Sequence, residues 1–133
     1  MRVLIVTAGS WGDVAPYTGL GVRLRDAGHE VTVATHALFA DAVTVHGLGF
    51  HPLPVDPRAE LASADGRLMS RSANGPMAVA RMARMARGFM PQLTAGVADA
   101  ARAGVDVMLS ATLTDPLCAT ITEATGIPSI GVY

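Results

Sequence analysis

Thr7-Ala8-Gly9-Ser10-Trp11-Gly12-Asp13-Val14 decides the reading of this chain. It follows Val3-Leu4-Ile5-Val6, an uninterrupted apolar run of the kind buried on both faces of a parallel sheet. Pro16, just beyond it, suits the first turn of a helix, where a missing N–H costs little. A parallel strand that ends in a glycine loop and opens a helix is where α/β proteins place their chemistry. The first N–H groups of such a helix are unpaired and point toward any bound anion. Asp13 adds a carboxylate at the same spot. The loop is a candidate holder of a nucleotide or a sugar acceptor, or a structural turn.

The elements follow outward from this loop. Leu20, Val22, Leu24 and Ala27 carry the first helix to Gly28, a C-terminal stop. Glu30 to Thr35 is β-branched and predicts a second strand. A second helix is expected over about Ala37 to His46, with Leu38, Ala42 and Val45 inward and Gly47 ending it. Phe50 to Leu53 predicts a short third strand. Residues 54–76, rich in Pro, Ser, Gly and Asn, predict an irregular stretch; one that long is usually functional or disordered. A long helix is expected from Met77 to Ala103, with a break at Gly88-Pro91. Val105 to Ser110 is a fourth strand. Asp115-Pro116 opens a helix that runs to Thr125 and stops at Gly126, and Pro128 to Val132 is a fifth strand. The order β-α-β-α-β-(loop)-α-β-α-β predicts a three-layer, Rossmann-like α/β domain with a mainly parallel sheet of at least five strands. The apolar closing strand, Ser129 to Tyr133, is read as a cut from something longer.

The 133 residues suit one domain around one core. A net charge of -1 makes no case for a nucleic-acid partner. Cys118 is the only cysteine, so no internal disulfide forms, and it is read as a small core residue. No stretch reaches the ~18 apolar residues of a membrane span. The apolar run after Arg2 leads into a glycine turn and not a cleavage site. The cytoplasm is the expected location.

A dinucleotide site needs G-x-G-x-x-G and an acidic residue closing the second strand. Gly9 and Gly12 give only G-x-x-G, Gly19 and Gly21 fall inside the following helix, and the strand closes on Ala34-Thr35-His36. A P-loop is excluded because no Lys follows the glycines. The four histidines, His29, His36, His46 and His51, pair with no Cys or carboxylate at a metal-ligand spacing, and no metal is expected. His29, between helix and strand, is read as structural. His36, past the C-terminal end of the second strand, is read as structural or as lining a cleft. Met77, Met82, Met85, Phe89, Met90 and Leu93 form an apolar stripe, which is core or a pocket for a large apolar ligand. Arg81, Arg84 and Arg87 form a solvated face or a face that touches acidic lipid. Ser110, Thr112, Thr114 and Asp115 follow the fourth strand on the functional edge of the sheet.

Thr7 to Pro16 resembles the opening of family 28 and UDP-glycosyltransferase-like enzymes of the GT-B fold, which include sterol glucosyltransferases and glycosyltransferases of antibiotic biosynthesis. Three more segments match the same pattern in order: Leu24-Arg25-Asp26-Ala27-Gly28-His29-Glu30-Val31, His46-Gly47-Leu48-Gly49-Phe50-His51-Pro52-Leu53 and Glu123-Ala124-Thr125-Gly126-Ile127-Pro128. The resemblance implies the N-terminal, acceptor-side domain of an inverting glycosyltransferase, spanning residues 1–133. It implies hexose transfer from a nucleotide sugar to a hydroxyl of a natural-product or lipid acceptor. The nucleotide sugar is then a co-substrate bound mainly by a C-terminal domain that these residues do not include, and no cofactor is expected. The chain alone is expected to be inactive. Peripheral membrane contact is a further expectation, since some resembled enzymes glycosylate lipids.

By the same resemblance Asp13 is the general base that takes the acceptor's proton, while Gly9, Ser10, Trp11 and Gly12 form the cleft loop. His36, Met82, Met85, Phe89 and Thr112 are candidate acceptor contacts. Other readings stand beside these. Asp13 also fits a helix N-cap. Trp11, where many relatives carry Arg, fits stacking on a ring-shaped acceptor or plain packing. In related plant-type enzymes an acidic residue orients the base; counting back from Gly126 the matching position is Thr112, which is not acidic. The alternatives for the whole chain are a non-catalytic accessory or ligand-binding domain that pairs with another polypeptide, and a fragment of a Rossmann-type NAD-dependent oxidoreductase.

Overall fold

A computed structural model describes residues 1–55 and 76–133, with only the backbone described at 78, 79, 81–83, 85 and 86. Five strands form one sheet: β1 (Arg2–Val6), β2 (Glu30–His36), β3 (Gly49–Leu53), β4 (Val107–Ser110) and β5 (Ser129–Gly131). Their order is β3-β2-β1-β4-β5, and every pairing is parallel. The helices are α1 (Trp11–Asp26), α2 (Ala40–Thr44), α3 (Pro76–Arg102) and α4 (Asp115–Thr125).

The apolar run of β1 divides by the two-residue period of a strand. Leu4 and Val6 pack with Leu93, Val97 and Ala100 of α3 and Leu117, Cys118 and Ile121 of α4. Val3 and Ile5 pack on the opposite face with Val31, Val33, Val43 and Leu48. A central strand with both faces covered needs no polar side, which is why this stretch reads as continuously apolar. Each such side chain, fully buried, contributes about 1.5–3 kcal/mol.

The chain leaves β1 toward β2 and β3 on one side, then returns to place β4 and β5 on the other. The order therefore reverses between β1 and β4. In open parallel sheets, ligands bind outside the C-terminal ends of the strands at that reversal.

The three-layer expectation holds, with local differences. The first helix begins at Trp11, not near Val14, because Ser10 takes the extended N-cap conformation. The second helix is short and preceded by a 3-10 turn at Ala37–Phe39. Its inner face is Phe39 and Val43, while Val45 is 76% exposed and Leu38 39%; the 3-10 turn changes the rotation per residue and shifts the apolar face. The expected break at Gly88-Pro91 does not occur, and α3 runs through Pro91. Pro91 is exposed, and the burial of Leu93, Val97, Ala100 and Ala101 on one face of α3 outweighs the backbone bond it forfeits. Pro52 is tolerated within β3 because β3 is an edge strand. The irregular stretch expected over 54–76 lies, from 56 to 75, outside the described residues. Among those described, no helix is long and apolar enough to cross a membrane.

Candidate functional site

Two loops meet at the reversal point: residues 7–10 after β1, and 111–114 after β4. The first is shaped by Gly9, at φ +127°. A Cβ at Gly9 would lie 2.6 Å from Asp13 Oδ2, so only glycine allows the backbone to turn this close to that carboxylate. Asp13 occupies the third position of α1, where it is the acidic member of a capping box and not the N-cap itself. The Ser10 backbone N–H and the Ser10 hydroxyl both donate to Oδ2, each at 2.7 Å. Oδ1 has no hydrogen-bond partner among the described residues. The Thr7 hydroxyl donates to the Asp13 carbonyl at 2.8 Å and fixes the start of the helix against the end of β1.

The second loop is held to the same strand. Buried Thr114 donates from Oγ1 to Val6 O at 2.7 Å. The Ser110 hydroxyl donates to Asp115 Oδ1 at 2.6 Å. This bond, and a second from Tyr133, hold the Asp115 carboxyl below the ordinary range. The Tyr133 phenol is pushed up by the same contact with Asp115. Tyr17 donates to Val132 O at 2.7 Å, and its phenol is pushed up by burial and by the negative charge of Asp13.

Between the loops opens a cavity of about 620 Å³, with Asp13, Tyr17, Leu20, Thr112, Leu113 and Tyr133 among its walls. A smaller apolar slot, about 100 Å³, lies on the other side of Ala8 and Leu113 and is lined by Gly9, His36, Val55, Phe89 and Leu93. The structure thus brings Asp13, Gly12 and Thr112 to one cavity, and Gly9, His36 and Phe89 to its neighbour. Trp11 packs at a tilt against Phe39, 5.6 Å between ring centroids, yet stays 47% exposed, so it is partly packed and partly available. The side chains of Met82 and Met85 lie outside the described residues. Arg84 and Arg87 are exposed.

Two features escape sequence reasoning. Tyr17 and Tyr133 carried no motif, and only the return of the fifth strand brings them to the cleft. The bond between His36 and the first loop crosses 27 residues. Cys118, by contrast, lies in the core as expected: it is fully buried, and its thiol is pushed up to about 12 by desolvation and by the charge of Asp115.

A parallel five-stranded domain with a carboxylate at the reversal point, and no acid closing β2, defines a Rossmann-like domain that is not a dinucleotide-binding one of the common type. The chain matches the glycosyltransferase family 28 N-terminal domain over residues 3–130 and belongs to that family. It is 33% identical over 93 residues to a sterol 3-beta-glucosyltransferase of Arabidopsis thaliana, covering 70% of this chain and 15% of the relative. The structure of the glycosyltransferase SsfS6 from Streptomyces sp. SF2575 superposes with a TM-score of 0.74 at 26% identity, covering 98% of this chain and 38% of that one. The same enzyme complexed with thymidine diphosphate gives a TM-score of 0.69 at 28% identity, again over 98% and 38%. The chain therefore spans well under half the length of these relatives. It is a glycosyltransferase domain of Rossmann-like fold, similar to one half of the GT-B enzymes.

Proposed function

We propose that this domain is the acceptor side of an inverting transferase that moves a hexose from a nucleotide sugar to a hydroxyl of a lipid or natural-product acceptor. Asp13 is the general base. The observation that carries this reading is the asymmetric bonding of its carboxylate on the wall of the cleft. Oδ2 is committed to Ser10, which fixes the group's orientation, while Oδ1 is left to take a proton. A hydroxyl is a poor nucleophile at neutral pH, and a positioned base supplies about 10²–10⁴ of rate. The capping role and the catalytic role are thus divided between two oxygens of one side chain.

The donor is held mainly by a second domain, so these residues alone carry no transfer. The large cavity beside Asp13 receives the acceptor hydroxyl, and the slot bounded by His36, Val55 and Phe89 receives an apolar part of the acceptor. No cofactor or metal takes part, and the protein works in the cytoplasm. Sterol glucosyltransferase relatives favour a lipid acceptor, and the exposed Arg84 and Arg87 suit peripheral contact with an acidic membrane.

The test is Asp13→Asn in a protein that joins this domain to a nucleotide-sugar-binding half. Asn keeps an oxygen for the Ser10 N–H and removes only the basicity. Turnover should fall by about 10²–10⁴ with the fold intact. Unchanged turnover would assign Asp13 to capping alone.

A further inference from the structure

His36 is 3% exposed, and among the described residues it makes two hydrogen bonds whose directions are forced. The Gly9 backbone N–H, which can only donate, lies 2.9 Å from Nε2. The Val55 carbonyl, which can only accept, lies 2.7 Å from Nδ1. The ring must therefore be neutral, with its proton on Nδ1 and the lone pair of Nε2 facing the loop. It bridges the end of β3 to the glycine whose missing Cβ makes room for the Asp13 carboxylate.

We propose that His36, as this Nδ1–H tautomer, is a positioning residue: it fixes the Gly9 peptide and through it the placement of Asp13. This deepens the proposed function and rests on Asp13 being the base. Gly9 sits at a backbone conformation open only to glycine. Glycine pins its own peptide least of all residues, so a loop that needs this freedom also needs an external anchor. His36 supplies it from a neighbouring strand. The ring is itself held by Phe39, with centroids 6.3 Å apart, and Phe39 in turn packs at a tilt against Trp11 at the first turn of α1.

Protonation would place a second N–H on Nε2, donor against donor at Gly9, and the loop would lose its anchor. The apolar slot beside the ring is lined, among the described residues, by Ala8, Gly9, Val55, Phe89, Leu93 and Leu113, and Phe39 packs against the ring. Asp13, beyond Gly9, is the titratable group that the anchor serves.

The test uses two substitutions that each imitate one ring nitrogen. His36→Gln puts an amide oxygen where Nε2 accepts, and His36→Asn puts an amide nitrogen where Nδ1 donates. In the 133-residue chain, ring nitrogen shifts by NMR should report the Nδ1–H tautomer, and the Gly9 amide proton should move with the His36 titration. The Gly9 amide should keep its position in His36→Gln and lose it in His36→Asn. In a transferase carrying this domain, His36→Asn should lower kcat by roughly 10- to 100-fold, the cost of a misplaced group, with KM for the donor unchanged. His36→Gln should lower kcat less than His36→Asn does.

A proton on Nε2, or a Gly9 amide indifferent to His36, overturns the inference. So does equal loss of kcat in both variants that tracks a fall in Tm. The NMR arm reads the anchor without any transfer reaction. An active enzyme indifferent to Asp13→Asn would instead overturn the assignment of the base.

Discussion

The two ends of the sheet hold their carboxylates in opposite ways. At the N-terminal end, Asp106 is bonded by Arg2: the backbone N–H donates to Oδ2 at 2.6 Å and the guanidinium to Oδ1 at 3.2 Å. Asp99, on the last turns of α3, lies near Arg102 and His51. At the C-terminal end, Asp13 and Asp115 are held by Ser10, Ser110 and Tyr133, hydroxyl and backbone donors with no formal charge. A carboxylate beside Arg is oriented and neutralised together. One held by hydroxyls and a peptide N–H is oriented but keeps its charge, and only the second kind remains useful to a reacting hydroxyl or an incoming cationic centre. The difference separates an end whose carboxylates tie strands together from the end at which the proposed chemistry lies.

The largest expected effect breaks this comparison directly. Asp13→Asn in the complete transferase should cost about 10²–10⁴ in turnover, while Asp106→Asn, the matching change at the other end, should leave turnover unaltered. Next is Gly9→Ala. It adds a Cβ at 2.6 Å from Asp13 Oδ2 in a backbone region only glycine occupies. Thermal unfolding should show a loss of about 1–3 kcal/mol, accompanied by reduced turnover because the carboxylate must move.

Ser110→Ala sharpens the comparison within the cleft. Asp115 loses the donor that lowers its carboxyl most, so the carboxyl should rise toward the ordinary range, which an NMR titration of Asp115 would read. No such response is expected at Asp106. The smallest effect is Asp106→Ala. Arg2 holds the Asp106 carboxyl below its ordinary value of 3.8, so the ionised form is favoured by folding. Its contribution is present above the unfolded value and is lost as pH falls through the folded one. The variant should melt slightly below the parent at neutral pH, and the two curves should converge as acid protonates Asp106.

Much of the architecture was legible in the sequence. The unbroken apolar run Val3 to Val6 implies a strand buried on both faces, and the glycine loop after it marks the functional end of a parallel sheet. Gly126 ends α4 in the left-handed conformation, at φ +74°, as its position after Thr125 implied. The phase of the second helix was not legible, because a 3-10 turn rotates side chains by a different step than the α-helical spacing assumes. Nor was the continuity of α3 through Pro91, since the cost of one proline is local and the burial that offsets it comes from packing α3 against other elements. Asp13 was legible as a residue of the loop, but its division into a capping oxygen and a free one was not.

The sequence by itself determined the alternation of strands and helices, the family, and the place of the glycine loop and Asp13 in it. The alternation follows from local periodicity, the family from four segments that resemble it in order, and the loop from residues adjacent in the chain. Only the tertiary structure decided which distant groups hold that loop. His36 reaches Gly9 because β2 lies beside β1, with Ala34 paired to Val6. Tyr17 meets Val132 because β5 lies beyond β4. Sequence records which groups are available, and the register of one strand against the next sets the few ångströms at which they form a bond.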